Sequence, residues 1–165
     1  MDQRRPVLRG IDAVTVPVPT LEQGLAFYRD QLGHTVVWRD DSAGQAGLAL
    51  PGSDAELVLT TEHAYEPDWL VDSVDAAAAA FERAGGSVSV APSDIPVGRL
   101  AVVIDPFGNT LVLVDLSKGR YVTDASGTVV GVHRPEQDES PRNMKKAPNL
   151  ARGSGRSVHP QGLEP

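Results

Sequence analysis

Residues 16–33 read V-P-V-P-T-L-E-Q-G-L-A-F-Y-R-D-Q-L-G, and residues 69–86 repeat the pattern as W-L-V-D-S-V-D-A-A-A-A-A-F-E-R-A-G-G. Each copy holds an extended apolar segment, a Thr or Ser suited to a helix N-cap, a helical stretch and a terminal Gly. The copies are offset by 53 residues, and later by 54, so that residues 57–59 fall on residues 111–113. A duplication of this size predicts two pseudo-symmetric halves, with a ligand site that draws on matching positions of both.

Composition restricts the class of protein. The 165 residues suffice for one or two domains and include no Cys, which excludes disulfides, thiolate metal sites and a Cys nucleophile. The N-terminal residues lack the apolar run of a secretory signal and no segment reaches the length of a membrane span, so we expect a soluble cytoplasmic protein. Of the net charge of −7, residues 134–165 carry +2 and residues 1–133 carry −9. We therefore expect neither a nucleic-acid nor a membrane partner, because an acidic body repels phosphate.

The first copy predicts module one, residues 8–61. Residues 8–18 alternate as a strand, and Thr20 then begins a helix that ends near Leu32, with Gln23 as capping-box partner. The apolar stripe expected on this helix consists of Leu21, Leu25, Tyr28 and Leu32. Three short strands are predicted to follow, at residues 34–39, 47–50 and 56–61.

The second copy predicts module two, residues 65–117, in the same order. A strand at residues 66–71 leads to an Ala-rich helix over residues 74–84, and Gly85-Gly86 ends it. Three strands are predicted to follow, at residues 87–91, 99–104 and 110–115.

The chain continues beyond the repeat. Residues 120–123 and 128–132 flank Asp124-Ala125-Ser126-Gly127, which predicts a β-hairpin within residues 118–133. Residues 134–165 contain hardly any large apolar side chain, so we expect this tail to be disordered.

Three segments resemble the vicinal oxygen chelate superfamily, which includes glyoxalase I, bleomycin-resistance proteins, fosfomycin-resistance enzymes and extradiol dioxygenases. They are I-D-A-V-T-V-P-V-P-T-L-E-Q-G-L-A-F-Y-R-D-Q-L-G at residues 11–33, V-D-S-V-D-A-A at residues 71–77, and D-P-F-G-N-T-L-V-L-V at residues 105–114. The resemblance covers residues 8–117 and implies an α+β fold. In it, two βαβββ modules form an open, curled barrel of mixed β-sheet, the glyoxalase/bleomycin resistance fold, with the ligand in the cleft between sheets and dimers common.

Catalytic members of this superfamily hold a divalent metal with His, Gln or Glu side chains. By the resemblance, the four metal-binding positions fall on Ala13, Val58, Glu66 and Val112. Three of the four carry hydrocarbon where lone pairs are required, and a lone Glu cannot hold a catalytic cation with useful affinity. We therefore expect no metal and no other cofactor, and no catalytic residue is assigned.

Strand alternation predicts what lines the cleft instead. The expected ligand-binding residues point inward from the strands or lie near strand ends. They are Ala13, Thr15, Trp38, Val58, Thr60, Glu66, Asp68, Leu70, Phe107, Val112 and Val114. This is a mostly apolar trough with two hydroxyl groups and a carboxylate pair, whereas Trp69 is expected to face the helices. Such a trough suits a flat or amphipathic organic molecule.

The sequence therefore favours a metal-free small-molecule-binding protein that forms a homodimer, and sequestration of an antibiotic without chemistry is the nearest analogy. One alternative is a lyase, isomerase or dioxygenase whose metal is held by an unusual set such as His63, Glu66 and Asp68. Another is a scaffold whose basic tail, with Lys145-Lys146, recruits a partner protein.

Overall fold

A single curled sheet of eight strands organises the chain. The computed structural model describes residues 5–134 and 151–152. The strands are β1 Gly10–Pro17, β2 Val36–Asp40, β3 Gln45–Ala49, β4 Glu56–Thr60, β5 Glu66–Leu70, β6 Ser87–Ile95, β7 Gly98–Ile104 and β8 Thr110–Asp115. Their order across the sheet is β2-β3-β4-β1-β5-β8-β7-β6. The sheet stays open at both edges, and the predicted arrangement of two βαβββ modules is confirmed.

The two modules meet in the middle of the sheet through an antiparallel pair, β1 with β5, in which Ala13 lies opposite Asp68 and Thr15 opposite Glu66. Within each module the first and last strands are parallel, β1 with β4 and β5 with β8. The internal repeat therefore becomes a pseudo-twofold relation about an axis between β1 and β5, which gives two related half-sheets.

Module one places its helical segment on one face of its half-sheet. Thr20 caps the segment, because its Oγ1 accepts a hydrogen bond from the Gln23 amide at 3.1 Å and donates to Gln23 Oε1 at 3.2 Å. The segment consists of α1 Leu21–Leu25 and a π-helix, Ala26–Gln31. Leu21, Leu25 and Tyr28 pack on the sheet as predicted, but Leu32 is exposed. The prediction for Leu32 is wrong because wider π-helical turns carry it off the buried stripe.

Module two packs α2 Val74–Arg83 on the same face of the sheet. Ser73 Oγ accepts a hydrogen bond from the Ala76 amide, and the buried Asp115 accepts one from the Val74 amide at 2.8 Å. Ala77 and Ala78 lie against Ala101, Val103 and Leu113, and small side chains let this helix lie close to the strands. Trp69 packs in the same cluster, so its predicted orientation toward the helices is confirmed.

The C-terminal hairpin consists of β9 Arg120–Thr123 and β10 Val129–His133. Asp124 closes its turn, since its Oδ1 accepts hydrogen bonds from the Ser126 and Thr128 amides. The short strand β11 Ala151–Arg152 pairs with β9 on the side away from β10. The remainder of the tail, for which we predict disorder, lies outside the described residues. No helix in the described part of the chain is long and apolar enough to cross a membrane.

Candidate functional site: the inner face of the sheet

The face of the sheet opposite the helices, which we call the inner face, is defined by strand alternation. Leu59 and Leu113 pack under the helices, so their neighbours Val58 and Val112 point to the inner face. Strand register places one row of inner-face residues across six strands, namely Glu56, Ala13, Asp68, Val112, Val102 and Val90. A second row is formed by Trp38, Gly47, Val58, Thr15 and Glu66. The inner face therefore extends continuously from module one to module two.

Two β-bulges change which side chains reach this face. The register of β1 shifts between Ile11 and Ala13, which makes Asp12 an additional residue of the strand. The register of β2 shifts between Val36 and Trp38 in the same way. Val36 packs under the helix, and the bulge then directs Trp38 to the opposite face. Asp12 is buried and lies close enough to Asp68 to influence its charge.

The module-one half of the inner face, formed by Ala13, Trp38, Gly47, Glu56 and Val58, is filled by the protein itself. Trp38 is fully buried, and its indole Nε1 donates a hydrogen bond to Glu56 Oε1 at 2.7 Å. The indole lies over Gly47, where any Cβ atom would overlap the ring. The absence of a side chain at Gly47 is therefore what makes room for the indole.

The hairpin covers this half from above. Tyr121 packs in the same cluster as Trp38 and Val58, with its ring centroid 5.7 Å from that of Trp38. Burial, and secondarily the charge of Asp40, raises the pKa of the Tyr121 phenol to about 12. The Arg39 amide donates to the Gly127 carbonyl at 2.9 Å, which ties the hairpin to β2. The module-one half is therefore a closed, aromatic core.

The module-two half of the inner face, formed by Val90, Leu100, Val102, Ile104, Val112 and Val114, is more open on its β6 and β7 side, whereas Val112 and Val114 are buried. Along the first row the exposed fraction rises from 0% at Ala13 to 46% at Val90. Val102 and its β7 neighbours Leu100 and Ile104 are half-buried. An apolar surface open to solvent on a sheet is typical of a place where another molecule binds.

Asp68 lies where the two halves meet, between Ala13 and Val112. It is only 8% exposed, and burial raises the pKa of its carboxyl to about 8, assisted by the nearby charges of Asp12 and Glu66. At neutral pH the carboxyl is therefore mostly protonated. Within the described residues no side chain or amide donates a hydrogen bond to it.

Most residues predicted to line the cleft lie together on the inner face. They are Ala13, Thr15, Trp38, Val58, Thr60, Glu66, Asp68, Leu70, Val112 and Val114. Phe107 does not join them: it is 86% exposed in the turn before β8, which Asp105 closes by accepting hydrogen bonds from the Phe107 and Asn109 amides.

The two predicted hydroxyl groups serve the backbone. Thr15 Oγ1 is hydrogen-bonded to the carbonyls of Ala64 and Glu66, at 2.8 and 3.0 Å. Thr60 Oγ1 accepts hydrogen bonds from the Glu62 and His63 amides. These threonines therefore hold the connection between the modules.

The residues at the family's metal-binding positions do not fit a divalent cation. Ala13, Val58 and Val112 are hydrocarbon and lie buried on the inner face, with Glu66 near them. His63, proposed with Glu66 and Asp68 as an unusual ligand set, is exposed in the connection between modules. Among residues 5–134, no three His, Cys, Asp or Glu side chains are arranged to hold a metal ion. A single carboxylate among methyl groups supplies too few lone pairs to coordinate such an ion at these positions.

Sequence reasoning missed Glu56, Asp12 and the apolar residues of β6 and β7. Glu56 shares the parity of Val58 and Thr60, so alternation along β4 could have found it. Val102 and its neighbours required knowledge of which face of β7 the helix covers. Nothing in the sequence indicated Asp12, because a bulge breaks the alternation on which the prediction depends.

Comparison with known proteins identifies the family. The sequence model of the Glyoxalase/Bleomycin resistance protein/Dioxygenase superfamily matches residues 10–113. The chain therefore belongs to this superfamily, as its repeat and its D-P-F-G-N turn predict. A search of curated protein sequences finds no significant match.

Solved structures are similar in fold. Methylmalonyl-CoA epimerase from Mycobacterium tuberculosis is 22% identical with a TM-score of 0.52, over 68% of this chain and 91% of that one. A Streptomyces coelicolor methylmalonyl-CoA epimerase variant in complex with 2-nitronate-propionyl-CoA is also 22% identical, with a TM-score of 0.52 over 66% and 97%. A hypothetical protein from Bacillus halodurans is 14% identical, with a TM-score of 0.53 over 64% and 92%. At these identities the likeness shows the fold alone.

Proposed function

We propose that this chain is a metal-free member of the superfamily that binds a small, mostly apolar organic molecule on the module-two half of the inner face. The observation that carries the proposal is the difference in exposure along one row of residues, from buried Ala13 to half-exposed Val90. Hydrocarbon at three of the four metal-binding positions supports binding without a cation.

Burial of hydrocarbon is the expected source of affinity. Covering about 200 Å² of apolar ligand surface contributes on the order of 5 kcal/mol before the cost of association. Because the floor consists of hydrocarbon side chains and meets the Asp68 carboxyl only at one end, most of that free energy is nondirectional.

The test is a fluorescence titration with Nile red, a neutral apolar dye that brightens when it leaves water. We expect micromolar binding to the wild type and at least tenfold weaker binding to Val90→Asp, which places a charge on the open floor. Val130→Asp is the matched control, because Val130 is a strand valine that is 61% exposed on the hairpin. Equal dye affinity in the two variants would contradict this location.

A second candidate binding site must be distinguished from the inner face. A hollow of about 240 Å³ lies on the outer side of module two, between residues 5–7 and α2, with Ala76 and Ala80 in its wall. Ala76→Arg fills this hollow and leaves the inner face intact. Loss of dye binding in Ala76→Arg, with binding retained in Val90→Asp, would move the site to the hollow.

The rival function is a metal-dependent enzyme of the same superfamily, and the epimerase fold of the similar structures is what favours it. Such an enzyme would need metal-coordinating side chains other than those of Ala13, Val58, Glu66 and Val112, which stand at the superfamily's metal-binding positions. Protein purified without chelator should then carry near-stoichiometric zinc, iron, manganese or nickel, whereas our proposal expects metal well below one equivalent. The homodimer, antibiotic sequestration and cytoplasmic location stay predictions.

A further inference from the structure

The module-one half shows how this sheet holds a planar nitrogen heterocycle. The indole of Trp38 lies against the strands over Gly47, and its N–H donates to the carboxylate of Glu56 at 2.7 Å. A second ring, Tyr121, packs against it at a centroid distance of 5.7 Å. The half is thus occupied by an aromatic ring with one directed hydrogen bond to an acid.

The module-two half has comparable parts without the ring. The strand register places Val90 at the position that matches Trp38, because Val90 lies opposite Val102 as Trp38 lies opposite Gly47, and Val90 is 46% exposed. Val90 belongs to an apolar floor, in one row with Val102 and Val112. The row leads to Asp68, a carboxyl group more than nine-tenths buried that receives no hydrogen bond from the described residues.

Charge on the inner face restricts the ligand further. The groups that face Asp68 are themselves acids, Asp12 and Glu66. The sheet arginines Arg39 and Arg99 are held by acids of the helices and loops, including Glu22 and Asp75 at 2.8 Å each. A planar anion would therefore be repelled, whereas an N–H or amino group would meet an acceptor.

Building on the proposed function, we infer that the ligand class is a planar heteroaromatic molecule with an N–H or amino donor. Its ring lies on the valine row of module two and its donor binds the Asp68 carboxyl, as Trp38 binds Glu56 in module one. This arrangement resembles the closed half in pairing a ring with a buried acid, whereas Val102 stands at the position where Gly47 makes room for the indole. A buried donor–acceptor pair of this kind selects strongly against analogues that lack the donor.

The experiment compares probes of similar size and different chemistry. We expect 9-aminoacridine, a fluorescent planar cation with an amino donor, to bind and to displace Nile red. Pyrene-1-sulfonate, a planar anion, should bind at least tenfold more weakly. Equal affinity for the two planar probes would overturn the inferred ligand class.

A matched pair of variants tests the role of Asp68. At pH 9, where the Asp68 carboxyl is ionised, Asp68→Asn should weaken 9-aminoacridine binding at least tenfold and change Nile red affinity less than twofold. Asp72→Asn removes an exposed carboxylate four residues away, which pairs with Arg5 and Arg9, and should change neither affinity more than twofold. A cooperative urea transition shows that Asp68→Asn is folded.

The two proposals can fail separately. If Nile red binds on the Val90 floor and Asp68→Asn binds 9-aminoacridine as tightly as the wild type, the inferred ligand class is overturned and the site stands. If neither dye binds the wild-type chain at high micromolar concentration, both proposals are overturned.

Discussion

The two halves of the inner face are formed by matching copies of the sequence repeat, but one half is closed and the other is partly open. In module one a buried indole, supported by Gly47 and covered by Tyr121, fills the space above the strands. In module two the matching position is Val90, which is 46% exposed, and the valine row that begins there is partly open. The comparison shows that one copy of the repeated unit fills its own inner face, whereas the other leaves an apolar surface partly exposed.

The element that closes module one comes from outside the duplicated unit. The superfamily match ends at residue 113, whereas the hairpin that carries Tyr121 begins at Arg120. The Lys118 amide donates to the Val97 carbonyl on module two, and the Gly127 carbonyl accepts from the Arg39 amide on module one. The hairpin therefore spans the inner face and covers it unequally, which breaks the symmetry of the repeat.

The strongest challenge to the closed half is Gly47→Ala. A Cβ atom at this position would overlap the Trp38 indole, so the indole must leave its place over the strands. We expect a loss of about 3 kcal/mol or more in the free energy of unfolding, measured by urea denaturation. Gly131→Ala is the control, since a Cβ atom there meets nothing within 4 Å, and its effect should stay below about 1 kcal/mol. Equal stability of the two variants would show that the indole is not confined.

Tyr121→Ala tests whether the C-terminal hairpin closes the module-one half of the inner face. Removing a ring that is 8% exposed and packs on Trp38 should lower the free energy of unfolding by about 2–3 kcal/mol. The exposed module-one half should then bind additional Nile red, which raises the stoichiometry in a dye titration. Tyr65→Ala is the control, because Tyr65 is 71% exposed and its removal should leave stability and stoichiometry unchanged. An unchanged stoichiometry in a folded Tyr121→Ala protein would mean that the hairpin does not close a binding surface.

The features of this structure differ in how well the sequence predicts them. The Thr20 and Ser73 caps and the order of helices and strands along the chain follow from local patterns, and they lie where predicted. The bulge at Asp12 leaves no local signal, because the composition of β1 is compatible with a regular strand and equally with a bulged one.

The docking of the hairpin on Trp38 is also beyond local patterns. It joins residues more than eighty positions apart, which periodicity cannot predict. Sequence therefore predicts the symmetric scaffold, and tertiary packing decides which half is open.

Asp68 gives the most direct measure of how far water is excluded from the junction between the halves. Its carboxyl has a pKa of about 8 in the folded protein against 3.8 as an isolated group. Between these values the folded protein binds a proton that the unfolded chain releases, so the free energy of unfolding falls as pH rises from about 4 to about 8. Asp68→Asn removes this dependence. The variant should match the wild type in stability near pH 4 and exceed it by several kcal/mol at pH 9, at about 1.4 kcal/mol for each pH unit that separates the two pKa values, measured by urea denaturation. Asp72→Asn, at an exposed position, should run parallel to the wild type across that range. A constant difference between Asp68→Asn and wild type at all pH values would mean that water reaches the carboxyl freely, and the junction would then belong to the open half.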